Sequence, residues 1–195
     1  LQGGTLKDAT SQWGGTISMT ADSTIDIGAN DTLIVNGVIS GAHVLTKLGA
    51  GTLELNAQNT FSGGTQINTG KVKLGHNAGL GTAAASVASG AELDLNGRSI
   101  SNALSVTGSG INNGGAITNS SNSVATLNGA VTLLGNSTWS STGGLKIQGA
   151  VNASAAGAQS LTIASGAVEL LAGLGQTTAL SSLSISGATT LGADV

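Results

Sequence analysis

Pairs of aliphatic residues separated by a single polar residue recur along the chain. Ile25-Asp26-Ile27, Leu53-Glu54-Leu55, Val72-Lys73-Leu74 and Leu93-Asp94-Leu95 are the clearest. Leu104-Ser105-Val106, Val131-Thr132-Leu133, Leu145-Lys146-Ile147, Leu161-Thr162-Ile163, Val168-Glu169-Leu170 and Leu183-Ser184-Ile185 continue the series. A period of two is the signature of a strand with one buried and one wet face. The spacers are rich in Gly, Asn, Ser and Thr, the residues of tight turns. No stretch combines a helical period with caps. Ala83 to Ala88 is weakly helical in propensity and equally suits an outward loop.

A second, longer period lies over the first. Gly51, Gly70, Gly90, Gly110, Gly129, Gly149, Gly166 and Gly187 follow one another at steps of 17–21 residues. Strands this short cannot bury a face alone. Stacking one coil of about 20 residues on the next solves that, because each coil extends continuing parallel sheets. The pattern predicts an all-β solenoid in one domain, residues 1–195, of about ten coils and roughly 45–50 Å. Leu53, Leu55, Val72, Leu74, Leu93, Leu95, Val131, Leu133, Val168, Leu170, Leu183 and Ile185 are its predicted interior. A β-sandwich would vary its strand spacing more and use Pro and Tyr, both of which are absent.

Stacking makes specific predictions for polar residues. With Leu55, Leu74 and Leu95 as neighbours, Glu54, Lys73 and Asp94 form one outward column, and Lys71 lies beside Glu92. Opposite charges on adjacent strands then pair and set the register. Asn36, Asn56, Asn96 and Asn136 also follow the period, with Asn77 near the missing place. Asn tolerates a left-handed turn and can bond to an Asn one coil away. Ordinary turn preference explains the same series without a ladder.

Composition narrows the functional classes. Charged residues are 8% and aromatics 2% (Trp13, Trp139 and Phe61), while 39% hydrophobic residues supply a core. Six basic residues and a net charge of −3 leave no phosphate-binding stripe, so nucleic acid is not an expected partner. No apolar run approaches the length of a membrane span. Without cysteine there are no disulfides and no thiol chemistry, which suits a protein threaded unfolded through a narrow export pore. The chain begins at Leu1 rather than Met and reads as a segment of a longer protein.

At Leu45 to Leu74 the residues become more specific. The run is Leu45-Thr46-Lys47-Leu48-Gly49-Ala50-Gly51-Thr52-Leu53-Glu54-Leu55, then Asn59-Thr60-Phe61-Ser62-Gly63-Gly64-Thr65, then Gly70-Lys71-Val72-Lys73-Leu74. It resembles the autotransporter-associated β-strand repeat of Gram-negative surface proteins. That repeat reads Lys-x-Gly-x-Gly-Thr-Leu-x-Leu, Asn-Thr-Tyr-x-Gly-Gly-Thr and Gly-x-Leu-x-Leu. Phe61 stands for the usual Tyr and Val72 for Leu. Residues 158–191 resemble the repeats of filamentous-haemagglutinin-like exoproteins. The matching residues are Leu161-Thr162-Ile163, Gly166-Ala167-Val168-Glu169-Leu170, Thr178-Ala179-Leu180 and Ser182-Leu183-Ser184-Ile185, with Gly173-Leu174-Gly175 departing from the usual pattern. Both resemblances imply a right-handed parallel β-helix at the bacterial cell surface or outside the cell. They imply export by autotransporter or two-partner secretion. The clearest repeat of the first kind covers residues 45–75.

Candidate chemistry is sparse. Of the acids Asp8, Asp22, Asp26, Asp31, Glu54, Glu92, Asp94, Glu169 and Asp194, only Glu92 and Asp94 fall close together. Both are expected outward, as a solvated strand face rather than a glycosidase pair. His43 and His76 have no carboxylate at metal-ligand spacing. Serine lacks a GxSxG elbow, and Gly108-Ser109-Gly110 and Gly173-Leu174-Gly175 lack the rest of a dinucleotide motif. Asn30-Asp31-Thr32, Asn119-Ser120-Ser121, Asn136-Ser137-Thr138 and Asn152-Ala153-Ser154 are formal glycosylation sequons, expected by chance in such a chain. No ladder of outward Thr-x-Thr pairs suggests ice binding. We therefore expect no catalytic residues, no cofactor and no metal.

The leading expectation is a non-enzymatic stalk or filament of a surface adhesin. Its partners would be neighbouring coils of the same parent chain or copies stacked end to end. Thr5-Leu6 matches the Gly-Thr-Leu strand start and Thr190-Leu191 stops mid-coil, so both ends read as uncapped. The alternative is a module that binds glycan or host protein, for which Trp13 and Trp139 are the large candidates. Both are expected as loop or core-edge residues. A polysaccharide-degrading β-helix enzyme ranks third.

Overall fold

A computed structural model describes residues 1–8 and 10–192. It is a parallel β-solenoid of about 9 turns with roughly 21 residues per coil, 52% strand and 2% helix. Every strand pairing is parallel and joins one coil to the next. The strands stack in three columns. The first column is Gln2–Asp8, Ala21–Ile27, Leu45–Leu48, Thr65–Ile67, Ala85–Val87, Leu104–Gly108, the start of Val131–Ser141, and Val151–Ala153. The second is Ser11–Trp13, Thr32–Val35, Thr52–Leu55, Lys71–Leu74, Glu92–Asp94, Ile117–Asn119, the end of Val131–Ser141, and the starts of Ser160–Leu170 and Ser182–Leu191. The third has Ile17–Ser18 and Ile39–Ser40, then Ser99–Ile100, Ala125–Leu127, Leu145–Ile147 and the ends of the last two long strands. Between those two groups, coils three and four cross this side without regular strands. Thr60 N–H donates to Ile39 O and Thr82 N–H to Phe61 O.

The interior follows from the alternation. One column of stacked side chains runs Leu33, Leu53, Val72, Leu93, Ile117, Trp139, Ile163, all buried, and then Ile185. Leu55, Leu74, Leu95, Val131, Leu133, Val168 and Leu170 are buried as predicted. Two of the twelve depart from the prediction. Leu183 is 41% exposed and Ile185 only partly buried, because Ser182–Leu191 pairs with a strand on one side only. Trp139 is not at a core edge. It is fully buried, and its indole N–H donates to Ser137 Oγ at 2.9 Å, which satisfies the one polar atom of a large apolar ring. The Ala83 to Ala88 stretch contains the strand Ala85–Val87, with Ala85 and Val87 buried.

The coils number nine rather than ten because some are long. Thr65 stacks on Ala85, but Leu104 stacks on Val131. The added residues include the 3₁₀ turn Ile111–Asn113 and the Gly110–Gly115 bridge. Several of the repeating glycines, Gly51, Gly70, Gly129, Gly149 and Gly187, mark corners where adjacent coils touch. At Gly70 φ is +70°, and an added Cβ would lie 2.3 Å from Gly49 O. Both facts demand glycine.

Candidate functional site

The lysines and several buried polar side chains of this solenoid bond between coils. Four lysines each meet a carboxylate on an adjacent coil: Lys7 with Asp26 at 3.9 Å, Lys71 with Glu92 at 2.8 Å, Lys73 with Glu54 at 3.3 Å, and Lys146 with Glu169 at 3.2 Å. In all four the two residues are direct register partners. The expected pairs of Lys71 with Glu92 and Lys73 with Glu54 are both present.

The third member of the expected column behaves differently. Asp94 stacks beside Lys73 but turns to Ser120, accepting its N–H at 3.0 Å and its hydroxyl at 2.7 Å, and also accepts Asn96 N–H at 3.0 Å. Neither Glu92 nor Asp94 is solvated. They are 7% and 1% exposed. The long sixth coil lays Ile117–Asn119 and Ser120 over them, and Thr118 Oγ1 donates to Glu92 Oε1 at 2.8 Å. Their carboxylates are therefore hydrogen-bonded within the stack.

Lys47 occupies a position that the alternation reserves for an aliphatic side chain. It stacks between Ile25 and Ile67 and is fully buried. Its Nζ donates to Leu48 O at 2.6 Å, Gly49 O at 2.8 Å and Thr69 O at 3.4 Å. Burial lowers its ammonium from 10.5 to about 8, the negative charge of Asp26 opposing that shift. The side chain closes the turns of two coils at once. Its place in the Lys-x-Gly-x-Gly motif was visible in the sequence, but its inward direction was not.

Asparagine does similar work. Asn56 Nδ2 donates to Asn36 Oδ1 at 2.8 Å, one rung of the expected ladder. The ladder stops there, because the next stacked residue is Gly75, where a Cβ would fall 1.8 Å from Asn56 Oδ1. Asn77, Asn96 and Asn136 bond to backbone instead. Only Asn96 of that series takes positive φ, at +47°. Three buried amides link coils where the periodicity gave no signal. Asn59 bonds Ile39 N–H and Gly79 O, Asn102 bonds Gly81 O and Ala83 O, and Asn119 bonds Gly97 N–H and Gly144 O.

The remaining candidates do not converge. His43 Nδ1 lies 3.6 Å from Asp22 Oδ1 on the coil before it, and His76 Nδ1 accepts Ala78 N–H. Among the described residues no three His, Cys, Asp or Glu side chains cluster to hold a metal. No helix among them is long and apolar enough to cross a membrane. Trp13 is 52% exposed beside a cavity of about 380 Å³ in the first coil, lined by Leu1, Leu6, Ile17, Leu33 and Val35 among others. Asp194 lies outside the described residues.

Comparison with known proteins places this geometry. The family model described as Passenger-associated-transport-repeat matches residues 45–74. The chain is also 38% identical over 106 residues to the adhesin BmaC autotransporter of Brucella suis biovar 1 (strain 1330). That stretch is 53% of this chain, and the chain spans only 3% of the relative's length. No solved structure matches the chain. Residues 45–74, with the buried Lys47, the clamped Asn59 and the cornering Gly70, thus match the passenger-associated transport repeat, in support of the autotransporter-associated β-strand repeat family.

Proposed function

We propose that this chain is a non-enzymatic, surface-displayed segment of an exported adhesin, acting as a stalk that gives reach and rigidity. The carrying observation is the use of charge: all four lysine–carboxylate pairs join register partners on adjacent coils. An enzyme on this fold would gather carboxylates around a cleft, whereas Glu92 and Asp94 are committed to Lys71, Thr118 and Ser120. The passenger repeat and the Brucella adhesin support display outside the cell. The haemagglutinin-like stretch at 158–191 fits the same role. The open edges of Gln2–Asp8 and Ser182–Leu191 suit further coils of a parent chain or a second copy.

Coil deletion tests the stalk. Thr65 and Ala85 are register partners, so removing residues 65–84 excises one coil and rejoins equivalent positions. Electron microscopy of tandem copies should show rods shortened by ~4.8 Å per deleted coil, still folded and still exported when fused to a translocator. Compact particles, or cleavage of polysaccharide by the purified chain, would overturn the reading.

A further inference from the structure

The side of the solenoid crossed without strands by coils three and four carries a groove of about 550 Å³. Its lining draws on four successive coils: Gln58 from the third, His76 and Asn77 from the fourth, Ser101 and Asn102 from the fifth, and Asn128 from the sixth. Three stacking steps make it roughly 14 Å long. We propose that this groove binds a neutral oligosaccharide. The inference deepens the adhesin reading and rests on it, naming the ligand class and the place.

The floor is fixed in advance. The segment Ala78 to Thr82 is clamped from one coil by Asn59, whose Nδ2 donates to Gly79 O at 2.7 Å. It is clamped from the other by Asn102, whose Nδ2 donates to Gly81 O at 3.1 Å and to Ala83 O at 2.6 Å. These bonds also decide what the lining offers. Asn102 spends its N–H groups on the backbone, and its carbonyl oxygen remains as an acceptor. Asn77 Oδ1 accepts Ser99 N–H at 3.1 Å, which leaves the Asn77 amide protons as donors. His76 Nδ1 accepts Ala78 N–H at 3.1 Å, so the neutral ring carries its proton on Nε2. Gln58, Ser101 and Asn128 are exposed at the rim and offer both donors and acceptors. Held donors on Asn77 and His76 and a held acceptor on Asn102 suit sugar hydroxyls, each of which donates and accepts.

Other ligand classes fit worse. No lysine or arginine lines the groove, so phosphate or nucleic acid meets no fixed cation there. A peptide adding as a strand needs a free sheet edge of some length; Ser99–Ile100 pairs on one side only, but it is two residues long and its Ser99 N–H already donates to Asn77 Oδ1. With no aromatic ring to stack on a sugar, each site should be weak, with Kd about 1 mM, and repeated sites along an adhesin would act through avidity.

The test is an NMR titration of the 195-residue chain with cellotetraose, maltotetraose, mannotetraose and N-acetylchitotetraose. At least one should shift the side-chain amides of Gln58, Asn77, Asn102 and Asn128 saturably. Gln58→Ala and Asn128→Ala should each weaken that binding about 3–10-fold without changing thermal unfolding, since both side chains are exposed. No shift with any of the four sugars, shifts elsewhere on the solenoid, or affinity untouched by both variants would overturn the proposal. So would equal binding of a tetra-serine peptide. Rod shape by microscopy is read separately, so a failed groove and a failed stalk are distinguishable.

Discussion

Lys47 Nζ donates to the carbonyl of Gly49 from inside the apolar column, 2.8 Å away. A lysine between Ile25 and Ile67 is costly to charge, and its ammonium titrates near 8 instead of 10.5. Between those two values the folded chain has released a proton that the unfolded chain still holds. Unfolding takes that proton up, so stability rises with pH across this window and is flat below it. The difference in unfolding free energy between wild type and Lys47→Met should grow by up to ~3 kcal/mol from about pH 7.5 to 10.5. Denaturant melts of both proteins across that range measure it, and subtraction removes the titration of the other lysines. A constant difference would show that Lys47 keeps an ordinary ammonium.

At pH 7 the same substitution should still destabilise. Lys47→Met relieves a buried charge but leaves carbonyls of Leu48, Gly49 and Thr69 without this donor. These carbonyls are partly buried, so losing the donor costs less than at a fully buried site, and we expect a net loss of about 1 kcal/mol. Equal or greater stability of Lys47→Met at pH 7 would mean that desolvation outweighs the hydrogen bonds.

Burial across the predicted interior should separate the middle of the solenoid from its last strand. Leu74 is fully buried, with Leu55 stacked against it, whereas Leu183 is 41% exposed in the last strand. Leu74→Ala should cost about 2–5 kcal/mol and Leu183→Ala less than about 1 kcal/mol. Equal costs would mean that Leu183 is covered in solution.

Alternation made the strands, the stacking and most of the interior legible, because side-chain parity in a strand is a local property. Parity says which residues face out, not what is laid over them. Glu92 and Asp94 have outward parity and are nevertheless buried, because the lengthened coil through Ile117–Asn119 covers them. Nor does parity forbid a polar residue inside. Lys47 stands at an inward position because its stem is apolar and its head can reach turn carbonyls. Nor does parity tell an interior tryptophan from one at an edge: Trp139 is buried because Ser137, itself interior, accepts its indole N–H. The groove of Gln58, His76 and Asn128 was not legible, since it depends on two coils lacking strands on one side.

Two glycines with the same backbone conformation should respond differently to a methyl group. Gly70 and Gly90 have φ of +70° and +81°. A Cβ at Gly90 meets nothing within 4 Å, while one at Gly70 falls 2.3 Å from Gly49 O and 2.9 Å from Lys47 Nζ. Gly90→Ala should cost about 1–2 kcal/mol, the strain of the left-handed conformation alone. Gly70→Ala adds a backbone clash and should cost about 3 kcal/mol or more. Thermal melts of the two variants decide it, and similar shifts would show that the corner at Gly70 can relax.

The two central ion pairs differ in what surrounds them, and that difference should be measurable. Lys73 and Glu54 meet at 3.3 Å with side chains 33% and 21% exposed. Lys71 and Glu92 meet at 2.8 Å, with Glu92 at 9% and a further bond from Thr118. A surface pair is screened by water and contributes about 0.2–1 kcal/mol. A pair desolvated on one side, with a third partner fixing the carboxylate, interacts more strongly and is less sensitive to salt. Double-mutant cycles with Lys→Met and Glu→Gln at each pair isolate the two coupling energies. The coupling of Lys71 with Glu92 should exceed that of Lys73 with Glu54 and persist in ~1 M NaCl, where the Debye length is about 3 Å, while the weaker one fades. The single variant Lys71→Met should destabilise more than Lys73→Met, because it leaves Glu92 charged and almost enclosed. Equal couplings, both lost in salt, would make the two pairs alike as exposed contacts and remove Glu92 from the features that hold adjacent coils in register.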